Sequence, residues 1–116
     1  MRIFDIQFYR DGGSIEFRIE RDGKTRHIWL ETPFSGEPRA LRIDSVSVSR
    51  KAPEVAQLIS DVDEWWQSLP PKLQDGAREV LAGKGAVYNL TGELRRAIDV
   101  SRVISVRDYV SEIYTA

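Results

Sequence analysis

The stretch of sequence that decides the fold is residues 14–31, which read SIEFRIERDGKTRHIWLE. On both sides of Asp22-Gly23, apolar residues alternate with polar ones, which is the period of a strand that buries one face. Asp-Gly supplies the positive φ angles that a two-residue hairpin turn requires. This turn sets two pairs of apolar residues opposite each other, Phe17 with Ile28 and Ile15 with Leu30. The stretch therefore predicts an antiparallel hairpin with one apolar face.

The same alternation continues toward the N-terminus and predicts a strand before the hairpin. Ile6 and Phe8 alternate with polar neighbours, and Gly12-Gly13 indicates a second two-residue turn. This turn predicts two more apolar pairs, Phe8 with Phe17 and Ile6 with Ile19. Residues 3–31 are therefore expected to form a three-stranded meander.

A fourth strand is expected after the meander. Residues 33–38 are rich in Pro and Gly and predict a loop, after which Leu41 and Ile43 alternate with polar residues. The next apolar position, Val46, has the opposite parity. An extra residue near Asp44-Ser45 would reconcile the two parities, so we expect a β-bulge there.

Beyond residue 50 the spacing of apolar residues changes to three and four, the period of an amphipathic helix. This spacing predicts four helices, over residues 53–69, 72–82, 90–98 and 103–113. Strands followed by helices predict a single α+β domain over residues 1–116, mainly β-sheet in 1–50 and mainly helical in 51–116. We expect an antiparallel β-meander of three to four strands, followed by about four short helices packed on one sheet face.

The composition excludes several classes of function. The 116 residues include 17 basic and 18 acidic side chains, and the net charge of −1 lacks the general basic field of nucleic-acid-binding proteins. The absence of cysteine excludes disulfides, thiolate nucleophiles and cysteine-ligated zinc. No apolar run is long enough for a secretion signal or a membrane span, so we expect a cytoplasmic protein without a membrane partner.

The titratable residues do not form a recognisable catalytic or metal-binding pattern. His27 is the single histidine, and the predicted register sets it opposite Arg18, which would lower its pKa. A surface or partner-contacting role is therefore favoured over that of a general base. The acidic residues Asp61, Asp63 and Glu64 indicate a solvated helix flank rather than a metal site. We expect no enzymatic activity, no cofactor and no metal.

One face of the predicted sheet has the composition of a binding surface. The register places five aromatic, charged or titratable residues on the face opposite Phe17 and Ile28, namely Tyr9, Glu16, Arg18, His27 and Trp29. Aromatic residues and arginine in a polar surround are typical of interface hot spots. The alternative is that a helix or the loop over residues 33–40 covers this face and makes Trp29 part of the core.

These observations predict a small non-enzymatic binding protein that makes stoichiometric contact with a larger partner. The partner is expected to be a protein or a ribonucleoprotein. The protein itself would act on it as an inhibitor, an immunity protein or an accessory subunit. Arginine outnumbers lysine, 13 to 4, and suits planar, bidentate contacts with such a partner. The protein itself is expected to be a monomer or a homodimer.

Nucleic acid is the alternative partner, because residues 94–102 resemble the middle of a helix-turn-helix. In this interpretation residues 91–114 contain two helices, and Val100-Ser101-Arg102 opens the helix that enters the DNA major groove. Four basic residues of this segment would contact phosphate or an acidic partner, namely Arg95, Arg96, Arg102 and Arg107. The segment departs from the motif at Arg95, where a small residue is usual, and at Asp99, where glycine is usual.

Overall fold

The computed structural model describes residues 1–9, 13–32, 39–84 and 92–114. Five strands come first, namely β1 (Arg2–Tyr9), β2 (Ser14–Arg21), β3 (Lys24–Glu31), β4 (Ala40–Ile43) and β5 (Val46–Ser47). Three helices follow, namely α1 (Pro53–Ser68), α2 (Pro71–Leu81) and α3 (Gly92–Tyr114). The strands form one antiparallel sheet in the order β1-β2-β3-β4-β5. This α+β arrangement confirms the predicted fold class.

The β2–β3 hairpin has the predicted register. Phe17 pairs with Ile28 and Ile15 with Leu30. The turn residues Asp22 and Gly23 have φ angles of 52° and 76°, as a two-residue turn requires. The turn chemistry and the hydrophobic pattern select the same pairing, and the sheet is built outward from this hairpin.

The predicted register between β1 and β2 is wrong. Phe8 pairs with Ile15 instead of Phe17, and the residue opposite Ile19 is Ile3. The pairing shifts between Phe4 and Gln7, where Asp5 adopts a φ of 52°, so a β-bulge interrupts the strand. The connection to β2 is also longer than the predicted two-residue turn, of which Gly12 lies outside the described residues.

The predicted bulge near Asp44-Ser45 is a hairpin turn instead. Asp44 and Ser45 have φ angles of 52° and 66°, the conformation of a two-residue turn with both central residues left-handed. Ile43 on one side of the turn pairs with Val46 on the other. The chain therefore reverses direction at this position, and the reversal explains the change of apolar parity.

The helices pack on the apolar face of the sheet and share one core with it. The largest side chains that are almost fully buried come from both halves of the chain, namely Phe17, Ile28, Leu30, Leu41, Val55, Val62, Val103 and Val110. α2 approaches α3 closely at Gly76, where a Cβ atom would lie 3.2 Å from the Cβ of Ala97. Glycine at this position therefore allows the two helices to pack this closely without a shift of Ala97.

α3 is one continuous helix of 23 residues, so the predicted division into two short helices over 90–98 and 103–113 is wrong, and residues 90 and 91 lie outside the described residues. Its buried residues recur at spacings typical of an uninterrupted helix, from Ala97 to Tyr114. Asp99, the predicted turn residue, is half-buried inside the helix and forms an ion pair with Arg102 at 3.8 Å. The helix-turn-helix geometry predicted for this segment is therefore not formed.

None of the three described helices combines the length and the apolar character that a membrane span requires.

Candidate functional site

The five residues predicted to contact a partner lie together on the sheet face that points away from the helical core. Glu16 pairs with Trp29, and Arg18 pairs with His27, as predicted. The alternating burial of β2 and β3 places their apolar residues in the core and these residues on the opposite face. We call this surface the polar face, defined by Phe4, Gln7, Tyr9, Glu16, Arg18, His27, Trp29 and Arg42.

Three aromatic rings form the centre of the polar face. The ring of Trp29 lies between those of Tyr9 and His27, with centroid distances of 5.3 and 6.3 Å respectively. The predicted pair of Phe8 with Phe17 would have set Tyr9 opposite Glu16, but Tyr9 pairs with Ser14 and Glu16 pairs with Gln7. The Tyr9 side chain nevertheless reaches Glu16. Ser14 is buried although it lies on this side of the sheet.

The carboxylate of Glu16 joins the flanking rings in a hydrogen-bond network. Its Oε1 accepts a short hydrogen bond from the Tyr9 hydroxyl. Its Oε2 lies 2.7 Å from Nε2 of His27. A carboxylate can only accept, so the imidazole donates from Nε2. Both carboxylate oxygens therefore have a partner within the protein.

The network shifts two pKa values in opposite directions. The hydrogen bond from Tyr9 lowers the pKa of Glu16, against the opposing effect of burial, and His27 and Arg18 lower it further. The same hydrogen bond raises the pKa of Tyr9. At neutral pH Glu16 is therefore ionised and Tyr9 is neutral, since each shift moves the group further from titration.

Two arginines on the polar face make only loose ion pairs within the protein. Arg18 Nε lies 3.6 Å from Asp5 Oδ2, and Arg42 Nη2 lies 3.4 Å from Glu31 Oε2. Their side chains are 50% and 46% exposed, and neither guanidinium donates a hydrogen bond within the described part of the chain. Arg42, which pairs with Trp29, is absent from the predicted site, although its alternation with Leu41 and Ile43 was a signal for this face.

The four arginines assigned to nucleic-acid contact belong to α3, and two of them are engaged inside the fold. The guanidinium of Arg102 lies over the ring of Phe8, 4.4 Å from its centroid. Arg107 donates hydrogen bonds to Asp63 and Asp108, which raise its pKa. Arg95 and Arg96 are exposed. The structure therefore leaves Arg95 and Arg96 exposed, and residues 92–114 contain no turn between two helices.

Of the three acidic residues on α1, Asp61 departs from the solvated flank that the sequence predicts, whereas Asp63 and Glu64 keep about half of their side-chain surface exposed. Asp61 is buried, accepts a hydrogen bond from Gln57 and lies 3.2 Å from Arg21 Nε. Arg21 also forms an ion pair with Glu64. These contacts join α1 to β2, which is the physical reason for the correction. Within the described residues, no group of three or more acidic or histidine side chains is arranged to hold a metal ion.

Comparisons of the chain with protein-family models, with curated proteins and with solved structures find no match. The geometry of the polar face is therefore the basis on which a function is assigned.

Proposed function

We propose that the protein is a non-enzymatic binding protein that contacts a larger macromolecular partner through the polar face. The observation that carries this proposal is the aromatic centre of Tyr9, His27 and Trp29, framed by the half-exposed Arg18 and Arg42, on the sheet face away from the helical core. An aromatic centre with an arginine rim is the composition of interface hot spots.

The rigidity of this centre supports a binding role. The hydroxyl of Tyr9 is held by Glu16, and the ring of Tyr9 packs on Trp29. Side chains that are already ordered lose little conformational entropy when a partner binds. The strands that carry them are anchored from behind by buried residues such as Phe17 and Ile28. The polar face is therefore preorganised for contact.

The charges of the polar face and its border favour a protein surface over nucleic acid. Among the described residues, three arginines, Arg2, Arg18 and Arg42, stand against four carboxylates, Asp5, Glu16, Glu20 and Glu31. The balance is −1, whereas phosphate backbones require a surplus of cations. We therefore favour a protein, or the protein part of a ribonucleoprotein, as the partner.

The proton affinities in the network support a recognition role over catalysis. An efficient general acid or base has a pKa near the working pH. Glu16 and Tyr9 are both shifted away from neutrality. We propose that the protein acts in the cytoplasm as a stoichiometric inhibitor, immunity protein or accessory subunit.

Capture of the partner from an extract of the protein's own cells, followed by mass spectrometry, tests the proposal. The variant Trp29→Ala/Arg18→Ala removes the centre and one rim residue of the polar face. The control Gln67→Ala/Glu79→Ala changes two exposed helix positions. We expect one protein to be retained by the wild type and the control at least about tenfold more than by the polar-face variant. Equal retention by all three would contradict the proposal.

Circular dichroism of each variant distinguishes loss of binding from loss of the fold. Trp29 is partly buried, so its truncation also tests packing. If the double variant is unfolded, Tyr9→Ala/Arg18→Ala takes its place, because both side chains are exposed. Retention of the partner by that folded variant would likewise contradict the proposal.

A further inference from the structure

Beside its aromatic centre, the polar face carries hydrogen-bond donors that have no acceptor within the described residues. Arg18 and Arg42 donate no hydrogen bond within the described residues, and the indole N–H of Trp29 has no partner there either. The central acceptor, Glu16, has both oxygens occupied by Tyr9 and His27. A chemical group that binds at the aromatic centre therefore meets N–H donors of Arg18, Arg42 and Trp29, and it has to provide hydrogen-bond acceptors for them.

The register places these donors on opposite sides of two rings. Arg18 is directly opposite His27 on the neighbouring strand, and Arg42 is directly opposite Trp29. The strands that carry the two arginines, β2 and β4, therefore lie on either side of β3, which carries His27 and Trp29. Guanidinium presents its N–H groups in a planar fork that matches the two oxygens of a carboxylate.

We propose that the polar face recognises an aspartate or glutamate side chain of a partner protein. Its carboxylate is held between the guanidinium groups of Arg18 and Arg42, above the rings of His27 and Trp29. This inference rests on the proposed function and names the chemistry of the partner. The carboxylate replaces the ion-pair contacts to Asp5 and Glu31, which are 3.6 and 3.4 Å long and solvent-exposed. Exposed ion pairs of this kind contribute little free energy, so the exchange costs little.

The alternatives to a protein carboxylate fit less well. A lysine or arginine from the partner would need an acceptor at the centre, where each oxygen of Glu16 already accepts a hydrogen bond from Tyr9 or His27. A nucleic-acid phosphate chain would extend over Glu20 and Glu31, which border the same face. A single carboxylate needs only the two arginines, and it displaces Glu31 from Arg42 without extending over Glu20.

Selection of displayed random heptapeptides on the full-length protein tests the inference. Peptides that compete for the polar face are identified by their loss of binding to Trp29→Ala, or to Tyr9→Ala if the former does not fold. We expect these peptides to be enriched in Asp and Glu. We also expect Arg18→Gln and Arg42→Gln each to raise the Kd of a selected peptide at least about tenfold.

Arg2→Gln is the matched control, because Arg2 borders the same face but already donates two hydrogen bonds to Glu20. We expect the Kd for this variant to stay within about twofold of the wild type. Face-dependent peptides without acidic residues, or with equal affinity for Arg18→Gln and Arg42→Gln, would overturn the carboxylate inference and leave the polar face as the binding surface. A selection without any face-dependent peptide would contradict both the inference and the proposed function.

Discussion

Two tyrosine hydroxyls anchor the two sides of the sheet. On the polar face, Tyr9 donates to Glu16 and orders the aromatic centre. On the core side, the hydroxyl of Tyr114 accepts a hydrogen bond from the backbone N–H of Leu41 at 3.0 Å and donates to the carbonyl of Arg39 at 3.1 Å. The latter pair joins the end of α3 to β4, so the last residue described in the chain contributes to the position of the sheet.

Tyr114→Phe is expected to destabilise the protein by about 1–3 kcal/mol. The substitution keeps the buried ring but leaves the N–H of Leu41 without its partner, and an unsatisfied buried donor costs that amount. Chemical denaturation measures the free energy of unfolding. Tyr109→Phe is the control, because the described contacts of Tyr109 are made by its ring. Equal effects of the two substitutions would show that the hydroxyl of Tyr114 contributes nothing specific.

Tyr9→Phe is expected to raise the pKa of Glu16, because the hydrogen bond from Tyr9 is the largest cause of its lowered value. A carboxyl group whose pKa is lowered by folding stabilises the folded state above the pKa of the unfolded chain. This contribution is lost as the pH falls through the folded-state pKa. The stability difference between the wild type and Tyr9→Phe should therefore be present at neutral pH and shrink in acid.

NMR titration of the Glu16 carboxyl carbon measures that pKa in both proteins. Tyr109→Phe, which changes a tyrosine on α3, should leave it unchanged. The same Glu16 pKa in Tyr9→Phe and in the wild type would contradict the hydrogen-bond network.

Turns explain which elements could be predicted from the sequence. The β2–β3 register follows from Asp22-Gly23, because a two-residue turn of known geometry and the apolar alternation agree. The register of β1 does not follow, since its uniform alternation hides the bulge at Asp5 and the length of its connection. At Asp44-Ser45, either a bulge or a reversal of the chain would explain the change in apolar parity. The pairing of β5 with β4 shows that the chain reverses, and the local sequence pattern does not reveal this pairing.

Ser45→Gly is expected to stabilise the β4–β5 hairpin. Ser45 adopts a φ of 66°, and the left-handed conformation costs a non-glycine residue about 1–2 kcal/mol. Part of this gain is offset by the greater flexibility of glycine in the unfolded chain, so a net gain of up to about 1 kcal/mol is expected. Thermal unfolding measures it. Ser47→Gly, in β5, should instead destabilise, and a lower Tm for Ser45→Gly would contradict the turn.

The continuity of α3 has a direct consequence for proline substitution. Asp99 lies inside the helix, where proline should cost about 3 kcal/mol or more. Glu93 lies in the first turn of the same helix, where proline is tolerated. Denaturation of Asp99→Pro and Glu93→Pro compares the two positions. A mild effect at Asp99 would indicate the turn of a helix-turn-helix in place of one helix.

At the scale of the whole molecule, oppositely charged residues from distant segments of the chain pair with each other. Arg21 on β2 joins Asp61 and Glu64 on α1, and Arg107 on α3 joins Asp63. The acidic side chains of α1 therefore pair with Arg21 on the sheet and with Arg107 on α3. The local periodicity of apolar residues predicts the helices and strands, but it does not predict ion pairs between residues that are far apart in the sequence.

The same distinction applies to the candidate site. The location of Tyr9, Glu16, Arg18, His27 and Trp29 on one face could be predicted, because alternation along paired strands determines which side chains share a face. That the helices pack on the opposite face could not be predicted, since it depends on contacts between residues far apart in the chain. The hydrogen bonds of Glu16 could not be predicted either, because they depend on the conformations of the side chains of Tyr9 and His27.

Photo-crosslinking in the protein's own cells tests most directly whether the polar face contacts a partner. A photoreactive amino acid is introduced singly at Gln7 and Ser47, which border the aromatic centre, and at Ala56 and Gln67 on the exposed side of α1. We predict that irradiation yields a covalent adduct of one discrete mass from the two sheet positions and none from the helix positions. Adducts from the α1 positions alone, or from none of the four, would contradict the assignment of the polar face as the binding surface.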